Sequence, residues 1–226
     1  SRVYPIKETN NNLKSKIIKS KLKIDKLFNE QNSTKGPKTI YGLTKLSSEM
    51  LIEEFSYAFG LKYIINRCWV ISGPLQFGKQ DQGFISLWVW SHLNKKNLNY
   101  IGYEGNGQQV RDVIHIDDVC KLVHKQIKKF SKLYNLLLNV GGGPKNAVSL
   151  KELTKKCELI TSNSIKFSKV KKTSIYDIPY FVSDNTKVSK LYKWKPEKSI
   201  DSVIFDTYWW MKLNITILTN YFKWAL

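Results

Sequence analysis

Tyr41 and Lys45 stand four residues apart in the stretch Tyr41-Gly-Leu-Thr-Lys45. On a helix that spacing turns both side chains to one face. A nearby ammonium favours phenolate over phenol and draws the tyrosine's pKa down towards the working range of a base. The chemistry such a pair can do is to take a proton from a sugar hydroxyl. A Tyr and a Lys at this spacing are common, so the weight rests on what surrounds them. Gly36-Pro37 forms a turn just before the pair, and Leu43, Leu46, Met50, Phe55 and Ala58 recur after it at helical spacing. Gly60 is the expected helix stop, and a β-rich run follows from Leu61 to Ser72.

The elements that must position this pair can be read in chain order. Ser1 to Tyr4 reads as the end of a strand, and a polar, Lys-rich region runs from about Lys7 to Lys38. Within it, Leu13 to Leu27 alternates Lys with Ile and Leu, as a basic surface helix or a mobile insertion would. The segment Tyr63 to Ile71 predicts a strand apolar on both faces, covered as in a parallel sheet. It closes in Gly73-Pro74, so its C-terminal end opens into a loop, where ligands of α/β sheets gather.

Further along, Gln109 and Arg111 alternate on an extended segment and so face one side together. An arginine there offers bidentate hydrogen bonds to a diphosphate. Asp117 is expected to cap a helix whose apolar face carries Val119, Val123, Ile127 and Phe130, with His115 in a structural role. Ser149 and Glu152 form a capping box opening another helix. The run Gly141 to Gly143 either lets the backbone approach a ligand or makes a plain strand-to-loop turn. A last helix, about Asp201 to Lys212, is expected to pack Val203, Ile204, Trp209 and Trp210. The tail from Asn214 to Leu226 has no assignment.

Composition bounds the possibilities. The 226 residues suffice for a sizeable core, and 42% hydrophobic with 13% aromatic residues describes a globular protein. The net charge of +19 raises nucleic acid as a partner, but arginine occurs only at positions 2, 67 and 111. The fork that reads guanine edges is therefore scarce, and no nucleic acid is expected. Cys68, Cys120 and Cys157 lack metal-ligand spacing and read as small core residues of a reducing, cytoplasmic compartment. No metal, no membrane span and no signal peptide are expected. The sequence opens at Ser1 without a Met, so a preceding segment is expected.

A strand ending in Val3-Tyr4, a later Tyr-x-x-x-Lys helix and an Arg-containing strand closing in Gly-Pro resemble the extended short-chain dehydrogenase/reductase superfamily of nucleotide-sugar epimerases and dehydratases. Three further blocks, Phe77 to Gly83, Gly105 to His115 leading into Asp117-Asp118, and Asn139 to Gly143, are similar to its CDP-paratose (CDP-tyvelose) 2-epimerase group. The likeness runs from Ser1 to about Asp206. It implies an α/β fold: the C-terminal part of a Rossmann-like parallel sheet plus a smaller α/β substrate-binding region. Residues 1–75 would be the remnant of the Rossmann domain, 76–213 mainly the sugar-binding region with returns to the sheet, and 214–226 a tail.

The resemblance implies NAD as cofactor and a CDP-sugar as substrate, epimerised at C2 through a transient keto intermediate. It makes Tyr41 the base and Lys45 the residue that holds the nicotinamide ribose, with Trp69 facing the nicotinamide. Asp81, Gln82, Gln109 and Arg111 would hold the nucleotide sugar. A homo-oligomer is expected of the full-length protein. The alternatives are another nucleotide-sugar epimerase, a 4,6-dehydratase, or a non-catalytic fragment that binds a nucleotide sugar or a partner subunit.

The sequence also departs from the family. No Gly-rich turn precedes Tyr41, so the N-terminal half of the cofactor fold is absent and these residues alone are expected to be inactive. Relatives carry a catalytic Ser or Thr four positions before the residue matched by Tyr4, one residue upstream of Ser1. The Asp-Glu pair of the dehydratases is replaced by Ser1 and Arg2. An arginine that holds substrate phosphate is replaced by Ser174, leaving Lys171 or Lys172 as substitutes. Trp69 stands where the group has a small residue.

Overall fold

The computed structural model describes residues 2–6, 27–78 and 82–225. The expectations for Leu13 to Lys26 and for Asp81 fall outside them.

Helix α1 spans Ile40–Phe59. Thr39 caps its start by accepting a hydrogen bond from the Gly42 N–H, and Gly60 ends it in the left-handed conformation (φ 68°), as its missing Cβ allows. The expected apolar face is not the buried one. Leu43, Met50, Phe55 and Ala58 are exposed, Leu46 is half-buried, and the buried residues are Gly42 and Glu49. The inward stripe is Gly42, Leu46, Glu49 and Ile52, set by a polar anchor instead of by apolar content.

The strand expected over 63–71 is divided. Strand β1 (Ile64–Cys68) and strand β2 (Val70–Ser72) flank Trp69. Helix α2 (Phe84–Leu93) follows, buried all round from Ile85 to His92. Strand β3 (Leu98–Ile101), strand β4 (Val110–His115), helix α3 (Ile116–Lys129) and strand β5 (Leu136–Val140) come next. Then come strand β6 (Ala147–Ser149), helix α4 (Leu150–Thr161), strand β7 (Phe167–Val170), strand β8 (Tyr180–Phe181) and helix α5 (Thr186–Tyr192). Helices α6 (Ile200–Leu213) and α7 (Ile215–Ala225) follow, so most of the tail left without an assignment is helical.

Strands β1 and β5 pair in parallel with Ile64 opposite Leu136, while β2 pairs in parallel with β4 with Val70 opposite Val113. The chain changes partner at Trp69, whose N–H donates to the Val140 carbonyl at 2.9 Å. Strand β4 is also flanked by β6, antiparallel, and by β8, parallel. Strands β3 and β7 form a separate two-stranded parallel sheet.

The two faces of β1 are covered by different helices, through polar pairs the apolar reading did not foresee. Neighbouring residues in a strand point to opposite faces. Asn66 exchanges two amide hydrogen bonds with Gln126 of α3 at 2.9 and 2.8 Å. Arg67 turns the other way and binds Glu49 of α1. Helices on both faces of parallel strands make this a doubly wound α/β arrangement.

Helix α3 begins two residues earlier than expected. His115, not Asp117, is the N-cap, its Nδ1 accepting from the Asp117 N–H at 3.0 Å. The buried stripe is Asp118, Leu122 and Gln126, while Val123, Ile127 and Phe130 are exposed. Asp118 sets that rotation by accepting the backbone N–H groups of Glu197 and Lys198 at 3.1 and 3.0 Å. The capping box at Ser149 and Glu152 forms as expected. The glycine run serves internal packing: a Cβ on Gly141 would lie 2.3 Å from Ser183 Oγ, and one on Gly142 would lie 2.0 Å from the Val113 carbonyl. In α6, Val203 and Ile204 are buried but Trp209 is 42% exposed. Cys157 is buried, whereas Cys120 is exposed instead of lying in the core.

Candidate active site

A cavity of about 1070 Å³ opens between α1, β1, α2, β3 and β4, and Tyr41, Lys45, Trp69, Gln109 and Arg111 all line it. Five residues singled out from the sequence are thus brought together. Gln82 is exposed and outside the lining, and Asp81 lies outside the described residues.

The Tyr41–Lys45 pair shares one face of α1, with Lys45 Nζ 5.5 Å from the centre of the Tyr41 ring. That face continues to Glu49, one more helical step of four. Glu49 is the helix's buried charge, and Arg67 holds it through Nε at 3.0 and 3.1 Å and through Nη2 at 2.6 Å. Arg67 Nη1 also donates to the Tyr4 hydroxyl at 3.1 Å, and Tyr4 donates on to Asn139 Oδ1 at 2.9 Å. Burial pushes the Tyr4 phenol above its ordinary pKa, against the pull of Arg67, so it stays a neutral donor. This network ties the helix bearing the Tyr–Lys pair to β1 and β5.

Trp69 is buried and stacked on Phe181, ring centres 5.0 Å apart at 19°, with Tyr4 tilted against it at 6.0 Å. Its Nε1–H has no hydrogen-bond partner among the described residues. Gln109 donates through Nε2 to the Ile101 carbonyl at 2.5 Å, leaving its buried Oε1 without a partner. A buried donor and a buried acceptor left unpaired each carry a cost.

Arg111 binds the Val110 carbonyl at 2.8 Å and Asp177 Oδ1 at 3.0 Å. Burial pushes its pKa down, Asp177 opposes that, and Arg2 adds to the depression by repulsion. The sequence reading missed Arg2, Glu49, Arg67 and Asp177, all four of which line the cavity. Two signals were available. Glu49 extends the four-residue register of Tyr41 and Lys45. The three arginines of a chain with 37 basic residues all line this one cavity.

The fit to NAD can be tested on these groups. Tyr41 and Lys45, on the cavity lining with Trp69, suit the ribose of a nicotinamide end. Among the described residues no cluster of His, Cys, Asp or Glu could hold a metal ion. None of their helices is long and apolar enough to cross a membrane.

A parallel sheet with helices on both faces and a cavity holding a helical Tyr–Lys pair define a Rossmann-like α/β protein of the short-chain dehydrogenase/reductase kind. The chain belongs to the NAD dependent epimerase/dehydratase family, whose model matches residues 20–141. It is 29% identical over 172 residues to CDP-paratose 2-epimerase of Salmonella typhi, covering 75% of this chain and 51% of that protein. It is 27% identical over 198 residues to UDP-glucuronate 4-epimerase of Thermodesulfobacterium geofontis (strain OPF15), covering 85% and 56%. Its fold matches the crystal structure of UDP-glucuronic acid 4-epimerase from Bacillus cereus in complex with UDP-glucuronic acid and NAD. That match has a TM-score of 0.75 at 24% identity and covers 94% of this chain and 59% of that one. The chain thus spans about half the length of the curated relatives it matches.

Proposed function

We propose that these residues form the base-bearing and sugar-binding part of an NAD-dependent epimerase acting at C2 of a CDP-linked dideoxyhexose. The observation that carries the reading is that Tyr41 and Lys45 line the same cavity as Gln109 and Arg111. A proton acceptor and a diphosphate-binding guanidinium then share one pocket.

In this reading Arg111 and Gln109 hold the nucleotide sugar, and Asp81 and Gln82 belong to the same substrate-binding set. Tyr41 takes the proton of the C2 hydroxyl, and Lys45 holds the nicotinamide ribose. Bound NAD would supply reversible hydride acceptance. Trp69, held by stacking on Phe181, faces the nicotinamide in this reading. Residues 76–213 serve mainly the sugar.

Dehydration is the weaker reading on the same geometry. It needs a free acid and base, yet the carboxylates on the described lining, Glu49 and Asp177, are paired with Arg67 and Arg111. The test is competition binding of CDP-, UDP- and dTDP-linked sugars to the 226-residue chain. A preference for the CDP-linked sugar is expected, and a preference for UDP- or dTDP-sugars would reassign the substrate.

A further inference from the structure

Ser174 stands three residues before Asp177, and Lys171 and Lys172 nearby are exposed and outside the cavity lining. Another cation occupies the region. Arg2 lines the cavity, and its Nη1 donates to the Tyr176 carbonyl at 3.2 Å, next to Asp177. Its backbone is held against α1, because a Cβ on Gly42 would lie 2.1 Å from the Arg2 carbonyl oxygen. Only a glycine at the position after Tyr41 permits that approach.

The charge balance at this end of the cavity is uneven. Arg67 is matched by Glu49 and Arg111 by Asp177, while among the described residues Arg2 forms no ion pair. Arg2 is close enough to Arg111 to depress its pKa by repulsion. Two guanidinium groups and one carboxylate on this part of the lining make a place complementary to an oxyanion.

We propose that Arg2 is the second guanidinium of the substrate's anion clamp, gripping an oxyanion of the nucleotide sugar opposite Arg111. The clamp is thus completed from the segment before α1. This rests on the nucleotide-sugar reading above and assigns a residue that reading does not use. The oxyanion has two possible sources, the diphosphate or a carboxylate on the sugar, and the test separates them.

The 226-residue chain and its Arg2→Ala and Arg2→Lys variants would be titrated with CDP, UDP-glucose and UDP-glucuronate, with cytidine followed by ligand-observed NMR. Arg2→Ala should weaken CDP about tenfold or more and leave cytidine unchanged. Arg2→Lys, which keeps the charge but not the fork, should fall between. If CDP holds its affinity while a preference for UDP-glucuronate over UDP-glucose disappears, the oxyanion is the sugar carboxylate. Equal weakening of every ligand, or no change in any, would overturn the proposal and leave Arg2 a backbone spacer against Gly42. Failure of the unaltered chain to bind any nucleotide would instead remove the reading of the cavity itself.

Discussion

Arg67 of β1 grips Glu49 of α1 through three contacts of 2.6 to 3.1 Å, and this buried pair fixes the face of α1 that carries Tyr41 and Lys45. The two side chains are 6% and 10% exposed. Coulomb attraction in such a site is strong, but so is the cost of stripping water from both ions. The pair's main consequence is therefore orientation: a helix with little apolar burial of its own is held in one rotation by a bidentate fork.

Breaking the pair on one side should be costly. Glu49→Ala leaves the Arg67 charge buried without its partner, for which about 3–5 kcal/mol of destabilisation is expected. The double variant Glu49→Leu with Arg67→Met should lose much less. Denaturant unfolding of the single and double variants checks this, and equal losses would show that the pair acts by shape alone.

Arg111→Ala should weaken CDP-sugar binding by about 1.5–3 kcal/mol, the worth of a charge-assisted hydrogen bond to a diphosphate. Calorimetric titration reads this directly. A matching loss of thermal stability would move the effect from ligand to fold, because Asp177 would lose its ion pair with Arg111.

Stability should fall on mild acidification. Burial, and then Lys198, hold the His115 pKa below that of an unfolded histidine, and burial does the same for His92. The unfolded chain, with histidines near pKa 6.5, binds more protons than the folded one just below that pH. The contribution of each histidine is fully present above about pH 6.5 and is lost as the pH falls towards its lowered folded value. His115→Asn keeps an N-cap acceptor and removes the titration. Urea midpoints between pH 7 and 5 should slope less in that variant.

The local signals were legible in the sequence and the long-range ones were not. Gly60 stopping α1 and the Ser149–Glu152 capping box depend on neighbours within one turn, so residue type and spacing sufficed. The rotations of α1 and α3 depend on polar partners far away in the chain. Glu49 needs Arg67, and Asp118 needs the N–H groups of Glu197 and Lys198. Apolar periodicity therefore pointed to Leu43 and Val123 while the structure buries Glu49 and Asp118. The same holds for the site. Tyr41, Lys45, Gln109 and Arg111 were visible as short patterns, whereas Arg2 enters the cavity only because Gly42 lets its backbone pass.

The 226 residues by themselves should bind NAD weakly. The sequence holds no Gly-rich turn ahead of Tyr41, so the cofactor's diphosphate lacks the backbone N–H cradle that ordinarily holds it. Contacts from Tyr41, Lys45 and Trp69 would remain. Calorimetric titration with NAD beside a full-length relative checks this, and micromolar binding would show the turn to be dispensable.

The central claim is that Tyr41 takes a proton from a sugar held by Arg111 in one cavity. Its most direct test joins these residues to the Gly-rich cofactor segment of a relative and follows C2 epimerisation of CDP-paratose by NMR, with and without Tyr41→Phe. The account predicts that the variant turns over about two to four orders of magnitude more slowly while CDP-sugar affinity stays near normal. Near-normal turnover by Tyr41→Phe would contradict it.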